Sequence, residues 1–181
     1  MVLIEDGTGG GYLSKIDSHN RLRTYSVIEN EASYIAEEHQ QAYNWIINVT
    51  PAGAGDVFGY MKNTFKNVLV ISEIKIYVAT NESIQIKFDD VGTPVGGSTS
   101  TPTNMYAKSG NTADGIFQTG TNITGLSGGY VVEHLFIDGG TNMQSYTWCS
   151  GLLLPKNGIA TFYAITGGIA INMSICFHYH I

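Results

Sequence analysis

Residues Ile74–Phe88 read IKIYVATNESIQIKF. Ile74, Ile76 and Val78 alternate with Lys75, Tyr77 and Ala79, and beyond a short Asn81-Glu82 break Ile84, Ile86 and Phe88 alternate with Gln85 and Lys87. A period of two places every second side chain on one face, so both arms are strands with one apolar and one polar face. The short polar break between them reads as the turn of a β-hairpin.

The same strand signature spreads outward. Tyr43–Thr50, Val57–Lys62 and Val68–Thr80 precede or enclose the first arm, and Tyr130–Ile137, Tyr146–Leu154, Ile159–Ile165 and Ile169–Tyr179 follow the second. They are rich in β-branched and aromatic residues. Pro51, Gly53–Gly55, Gly139-Gly140, Pro155–Gly158 and Gly167-Gly168 separate them as turns. Eight or nine strands without alternating helices predict an all-β fold, an antiparallel, jelly-roll-like β-sandwich.

Composition bounds the rest. A chain of 181 residues with 43% hydrophobic residues and 11 tyrosines has material for one packed core. Charged residues are only 13%, well below the roughly 25% usual for globular domains, so Gly, Ser, Thr and Asn carry the surface polarity. The net charge of −6, without a Lys/Arg cluster, argues against nucleic acid as a partner. No apolar run is long enough for a membrane span, and the opening MVLIEDGTGGGYLSK lacks the basic flank and apolar core of a signal peptide. Cys149 and Cys176 both lie in apolar strand-like runs and read as free, buried thiols.

Two segments lie outside the strand pattern. Residues 1–42 form an N-terminal region: an extended arm over 1–27 dotted with Tyr12, Leu13, Ile16 and Leu22, then Glu29–Asn44, a short helix or a polar linker. Residues 43–181 form the sandwich. The arm's apolar residues are too sparse for a core and need a partner surface. Within the sandwich, Gly92–Gly128 is rich in Gly, Ser, Thr and Asn. It either conceals short strands, near Asn104–Ala107 and Gly115–Thr119, or projects as a functional loop. Met105, Tyr106, Ile116, Phe117 and Ile123 are its anchors, and the first four join the arm residues as candidate interface positions. On that reading, excising Met105–Phe117 weakens association far more than folding.

Chemical motifs are few. His178-x-His180 puts two imidazoles on one face of a strand, as a metal pair requires, with Glu133-His134 as the only appealing source of further ligands. Asp89-Asp90 with Asp114, and Asp138-Gly139-Gly140, offer oxygens but match no calcium-loop pattern, and Asp beside Gly is a common turn former. No Gly-x-Ser-x-Gly elbow occurs, and Gly7–Gly11 lacks the Lys-Ser/Thr that closes a phosphate loop. The expectation is a non-enzymatic protein with no cofactor and no metal.

Three stretches carry a resemblance. Asp6–Thr24 (DGTGGGYLSKIDSHNRLRT), Asn104–Gly115 (NMYAKSGNTADG) and Leu152–Ile165 (LLLPKNGIATFYAI) resemble segments of uncharacterised structural proteins in the virions of tailed bacteriophages. The resemblance implies a virion component, most simply a decoration or cement protein of the head, assembled in the host cytoplasm. Its implied partners are copies of itself, as a trimer, and the major capsid protein or another virion protein. Two other classes fit the same fold. A phage fibre or tail module would recognise host-surface glycans through Tyr106, Phe117 and Tyr130, and a cupin-type metalloenzyme would use His178 and His180.

Overall fold

The computed structural model describes residues 39–140 and 142–180, Ala36, and the backbone of residues 15–16 and 22–23. The chain divides into two units, Met1–Asn30 and Glu31–Ile181, whereas the boundary drawn from sequence lies at 42/43. In the first unit β1 (Lys15–Ile16) pairs antiparallel with β2 (Leu22–Arg23). Tyr12 and Leu13 lie outside the described residues, and Ile16 and Leu22 are described as backbone only. Residues 29–35, 37 and 38 of the expected helix or linker also lie outside them, while its end, Ala42–Asn44, is strand.

The second unit is an all-β sandwich. Its strands are β3 (Ala42–Val49), β4 (Asp56–Asn63), β5 (Leu69–Val78), β6 (Glu82–Phe88), β7 (Val91–Val95), β8 (Ser98–Thr99) and β9 (Thr103–Asn104). They continue with β10 (Gly115–Thr119), β11 (Thr124–Ser127), β12 (Tyr130–Ile137), β13 (Gln144–Leu154), β14 (Ile159–Ala164) and β15 (Ile171–Tyr179). One sheet runs β12-β6-β14-β4-β10-β8 and the other β13-β5-β15-β3-β9, with every pairing antiparallel.

The alternation read in Ile74–Phe88 holds, but its hairpin does not. β5 and β6 belong to different sheets and do not pair; the link at Thr80-Asn81 is an arch across the sandwich. Two strands facing each other across a core need the same alternation as two strands side by side, so periodicity alone cannot separate these cases. The arch is fixed by the turn packed on it. Gly139 N–H donates to Asn81 Oδ1 at 2.9 Å and Gly140 N–H to Val78 O at 3.0 Å. A Cβ on Gly139 would lie 2.1 Å from the Thr80 carbonyl carbon, so only glycine fits.

The inner faces meet in one core. Trp45 and Ile47 of β3, Phe58 and Met61 of β4, Ile74 and Ile76 of β5, Phe162 of β14 and Ile175 of β15 have no exposed surface. Burying each large apolar side chain contributes about 1.5–3 kcal/mol. Trp45 packs edge-on against Phe117 and Phe162, at centroid separations of 5.5 and 6.0 Å. The sandwich interior is therefore filled by side chains.

Candidate interaction surface

The segment between β6 and β12 is the part of the chain with most to say about function, and it does two different things. Its two ends fold back over the sheet that they leave. β7 pairs with β11 as a ribbon, and Ile123 and Leu126 pack with Val57, Tyr60, Ile159 and Tyr163 in a second cluster. Ile159 and Tyr163 alternate along β14 with Ala160, Phe162 and Ala164 of the main core, so this cluster lies on the opposite face of the sheet.

Asp90 anchors the ribbon where it begins and ends. Its side chain is 1% exposed. Oδ1 accepts the Gly129 N–H at 2.8 Å, and Oδ2 accepts the Tyr163 hydroxyl at 2.7 Å and the Thr161 hydroxyl at 2.5 Å. One buried carboxylate thus ties the residue before β7 to the residue before β12 and both to β14. Three donors offset the desolvation that an isolated buried charge would suffer. Burial, and then the Asp90 carboxylate, push the Tyr163 phenol far above its ordinary pKa, so it stays a donor. The Lys87 ammonium sits 4.1 Å above the Tyr163 ring centre.

The middle of the segment closes the sandwich along one side. β8 and β10 extend the first sheet, and β9 pairs with β3 at the edge of the second. The expected strand at Gly115–Thr119 is present as β10, whereas of Asn104–Ala107 only Asn104 lies in a strand, at the end of β9, and Met105–Ala107 turn away from it. Phe117 is 3% exposed and stacks on Phe177 at 5.4 Å besides meeting Trp45. Phe117 is therefore a core residue and not an interface anchor, and Ile123 is buried in the second cluster. The alternation of β10 sends Phe117 inward and leaves Ile116 outside. Trp45 Nε1 donates to Ser100 Oγ at 3.1 Å, and the hydroxyls of Tyr43 and Tyr179 donate to the carbonyls of Thr112 and Asp114 at 3.1 and 2.8 Å. Residues 105–117 are thus not an excisable loop.

What remains exposed is specific. Met105, Tyr106 and Ile116 keep their outward position. To them the structure adds Val91 (64% exposed) and Val95 on β7, Tyr130, Val131 and Phe136 (69%) on β12, and, away from these two strands, Ile46 on β3, Met143 before β13 and Leu153 on β13. β12 is the terminal strand of its sheet and β13 of the other. Trp148 Nε1 donates to Glu133 Oε2 at 2.9 Å and the Tyr146 hydroxyl to Phe136 O at 2.6 Å, joining these two edges. An edge strand with apolar side chains in solvent is a ready surface for another chain. The sequence signal existed: YVVEHLFI, 130–137, is apolar at Val131 and Phe136 as well as at the core positions Leu135 and Ile137.

The other candidate residues do not converge. Phe177 and Tyr179 point into the core, so His178 and His180 project from the opposite face, His178 buried and His180 exposed. Glu133 is engaged by Trp148 and by the His134 N–H. Asp90 is held by protein donors, while Asp114 lines a separate cleft. Among the described residues no group of three or more His, Cys, Asp or Glu side chains could hold a metal ion. Both cysteines are free, but Cys149 is exposed on the edge strand β13 and Cys176 is half-buried, correcting the expectation of two buried thiols. Among the described residues no helix is long and apolar enough to cross a membrane. No family model, curated protein or solved structure matches the chain.

Proposed function

We propose that this chain is a non-enzymatic structural protein of a tailed-phage virion, a decoration or cement protein of the head that works by self-association. The observation that carries the reading is the set of exposed apolar side chains on the β7–β11 ribbon and the edge strand β12, on a chain with only 13% charged residues. Interfaces between copies are low in charge and built around apolar and aromatic anchors. The virion assignment comes from the resemblance at Asp6–Thr24, Asn104–Gly115 and Leu152–Ile165. On it, the oligomer is a closed trimer that also contacts the major capsid protein or another virion protein, with residues 1–27 as the docking segment.

Counting only the strands of six residues or more, from β3 as one to β15 as eight, the sheets run 1-8-3-6 and 2-7-4-5. We read this order as a jelly roll, with residues 89–129 inserted between its fourth and fifth strands. Jelly rolls serve capsids, lectins and cupins alike, so the fold does not choose among them. The filled interior and the outward placement of His178 and His180 favour the structural reading over the cupin one. For glycan recognition Tyr106 and Tyr130 remain exposed, but Phe117 is in the core.

The test is immunogold labelling of intact particles from cells that express the chain, using antibody against the purified protein. The expected result is regular labelling of the head. Label confined to fibres would support the glycan-binding module, and particles without label would contradict a virion role.

A further inference from the structure

At the arch between β5 and β6 lies an open recess of about 240 Å³, lined by Asn81, Ser83, Phe136, Asp138 and Thr166, with Glu82 beneath them. The start of β6, the end of β12 and the turn after β14 build it, and the fold fixes its frame. Glu82 is buried, and its carboxylate accepts the backbone N–H groups of Ser83 and Thr166, each at 2.8 Å, and of Gly167 at 3.0 Å. Asn81 Oδ1 is taken by the Gly139 N–H, which sets the amide plane and leaves the two Nδ2 protons to give. The side chains of Ser83, Asp138 and Thr166 make no hydrogen bond among the described residues. Asn81, Asp138 and Thr166 are exposed, and the half-buried Ser83 keeps its hydroxyl open to solvent. Phe136 supplies an apolar wall. Its ring is held against the His134 ring, centroids 4.4 Å apart at 31°, yet the residue is 69% exposed.

We propose that this recess is a binding site for a neutral pyranose, the terminal residue of a glycan. Each sugar hydroxyl both donates and accepts, and the recess offers both: an acceptor-only carboxylate, a donating amide and two hydroxyls that do either. The C–H bonds on one face of the sugar ring meet the negative face of the Phe136 ring, whose seat on His134 is already paid in entropy. An acidic sugar or a phosphate finds no Lys, Arg or His among the lining residues to neutralise it. A cation would leave the Asn81 amide without an acceptor, and a metal ion would find one available carboxylate, since three N–H groups occupy that of Glu82. The volume falls below the roughly 300–1,000 Å³ that drug-sized ligands occupy and suits one ring, with the rest of a chain leaving through the open mouth. Phe136 lies at the far end of β12 from Tyr130 and the ribbon, roughly 20 Å along the strand, so the site stands apart from the ribbon surface.

The experiment uses the full chain labelled with nitrogen-15 and titrated with methyl β-galactoside, methyl β-glucoside or methyl N-acetyl-β-glucosaminide, and separately with methyl β-glucuronide, cyclohexanol and choline chloride. At least one neutral glycoside should give saturable shifts at the Asn81 side-chain amide and the Thr166 N–H, and the three controls should give none. Phe136→Ala and Asp138→Ala, both at exposed positions, should each weaken that binding at least tenfold while melting as the parent does, and Phe136→Tyr should keep it. The Asp138→Ala variant should also keep the parent's mass in sedimentation, which separates lost sugar binding from lost assembly. No saturable shift from any neutral glycoside, equal shifts from the glucuronide, cyclohexanol or choline, or full binding by either alanine variant would overturn the site.

Discussion

Replacing Asp90 with alanine is expected to lower the unfolding free energy by about 3–5 kcal/mol, a loss that only a few mechanisms produce. The carboxylate is the common acceptor for the Gly129 N–H, the Tyr163 hydroxyl and the Thr161 hydroxyl. Its removal leaves all three donors in a space that water reaches poorly. Substitution by asparagine keeps the shape and one acceptor oxygen, and the two hydroxyls can rotate, so the expected cost is smaller, about 1–2 kcal/mol. Because Asp90 holds both ends of the β7–β11 ribbon, the alanine variant should lose amide-exchange protection over residues 91–95 and 124–127 before the rest of the sandwich. Urea unfolding followed by tryptophan fluorescence gives the free energies, and hydrogen exchange gives the order. An alanine variant within about 0.5 kcal/mol of the parent would mean that the clamp contributes no more than an ordinary surface contact.

The second large effect is expected at two adjacent residues. Phe117→Ala should cost about 3–5 kcal/mol, the usual range for removing a buried aromatic ring, because Phe117 fills the space between Trp45 and Phe177. Ile116→Ser, one position along the same strand on its exposed face, should change stability by no more than about 0.5 kcal/mol. Excision of Met105–Phe117 should abolish cooperative unfolding, since it removes the Phe117 ring, the start of β10 and the carbonyls that pair with Tyr43 and Tyr179. Thermal melts of the three variants check this. Similar melting temperatures for the parent and the Phe117→Ala variant would return the segment to the status of a tolerated loop.

These two cases show where sequence was informative. Long strands were legible because alternation is local: Tyr130–Ile137 was bounded to the residue, and β14 and β15 to within two residues. Pairing was not legible, because it depends on partners distant in sequence, and the arch between β5 and β6 alternates as a hairpin would. The insertion misled for a related reason. Its composition marks turns, yet Phe117 and Ile123 supply the apolar contacts that fix it to the body; Gly115–Thr119 was legible as a strand, whereas the two-residue strands Ser98–Thr99 and Thr103–Asn104 carry too few periods to be recognised. At the candidate surface, Met105, Tyr106 and Ile116 were readable as apolar residues in a polar segment. Asp90 was not, since an Asp between Asp89 and Val91 has the appearance of a turn former and only the fold brings Thr161, Tyr163 and Gly129 to it. Val91 and Val95 were hidden because Val91–Val95 includes Gly92 and Pro94, which mark a break rather than a strand, and their exposure follows from the layer that β7 occupies.

Self-association through the ribbon and the β12 edge is the central claim, and sedimentation equilibrium of the full chain over a concentration series addresses it most directly. The expected mass is a multiple of 19.6 kDa of two or more. Val91→Asp combined with Val95→Asp, both at exposed positions, should shift the protein to a monomer with an unchanged melting temperature. A parent chain that stays at 19.6 kDa at every concentration, or a double variant that assembles as the parent does, would contradict it.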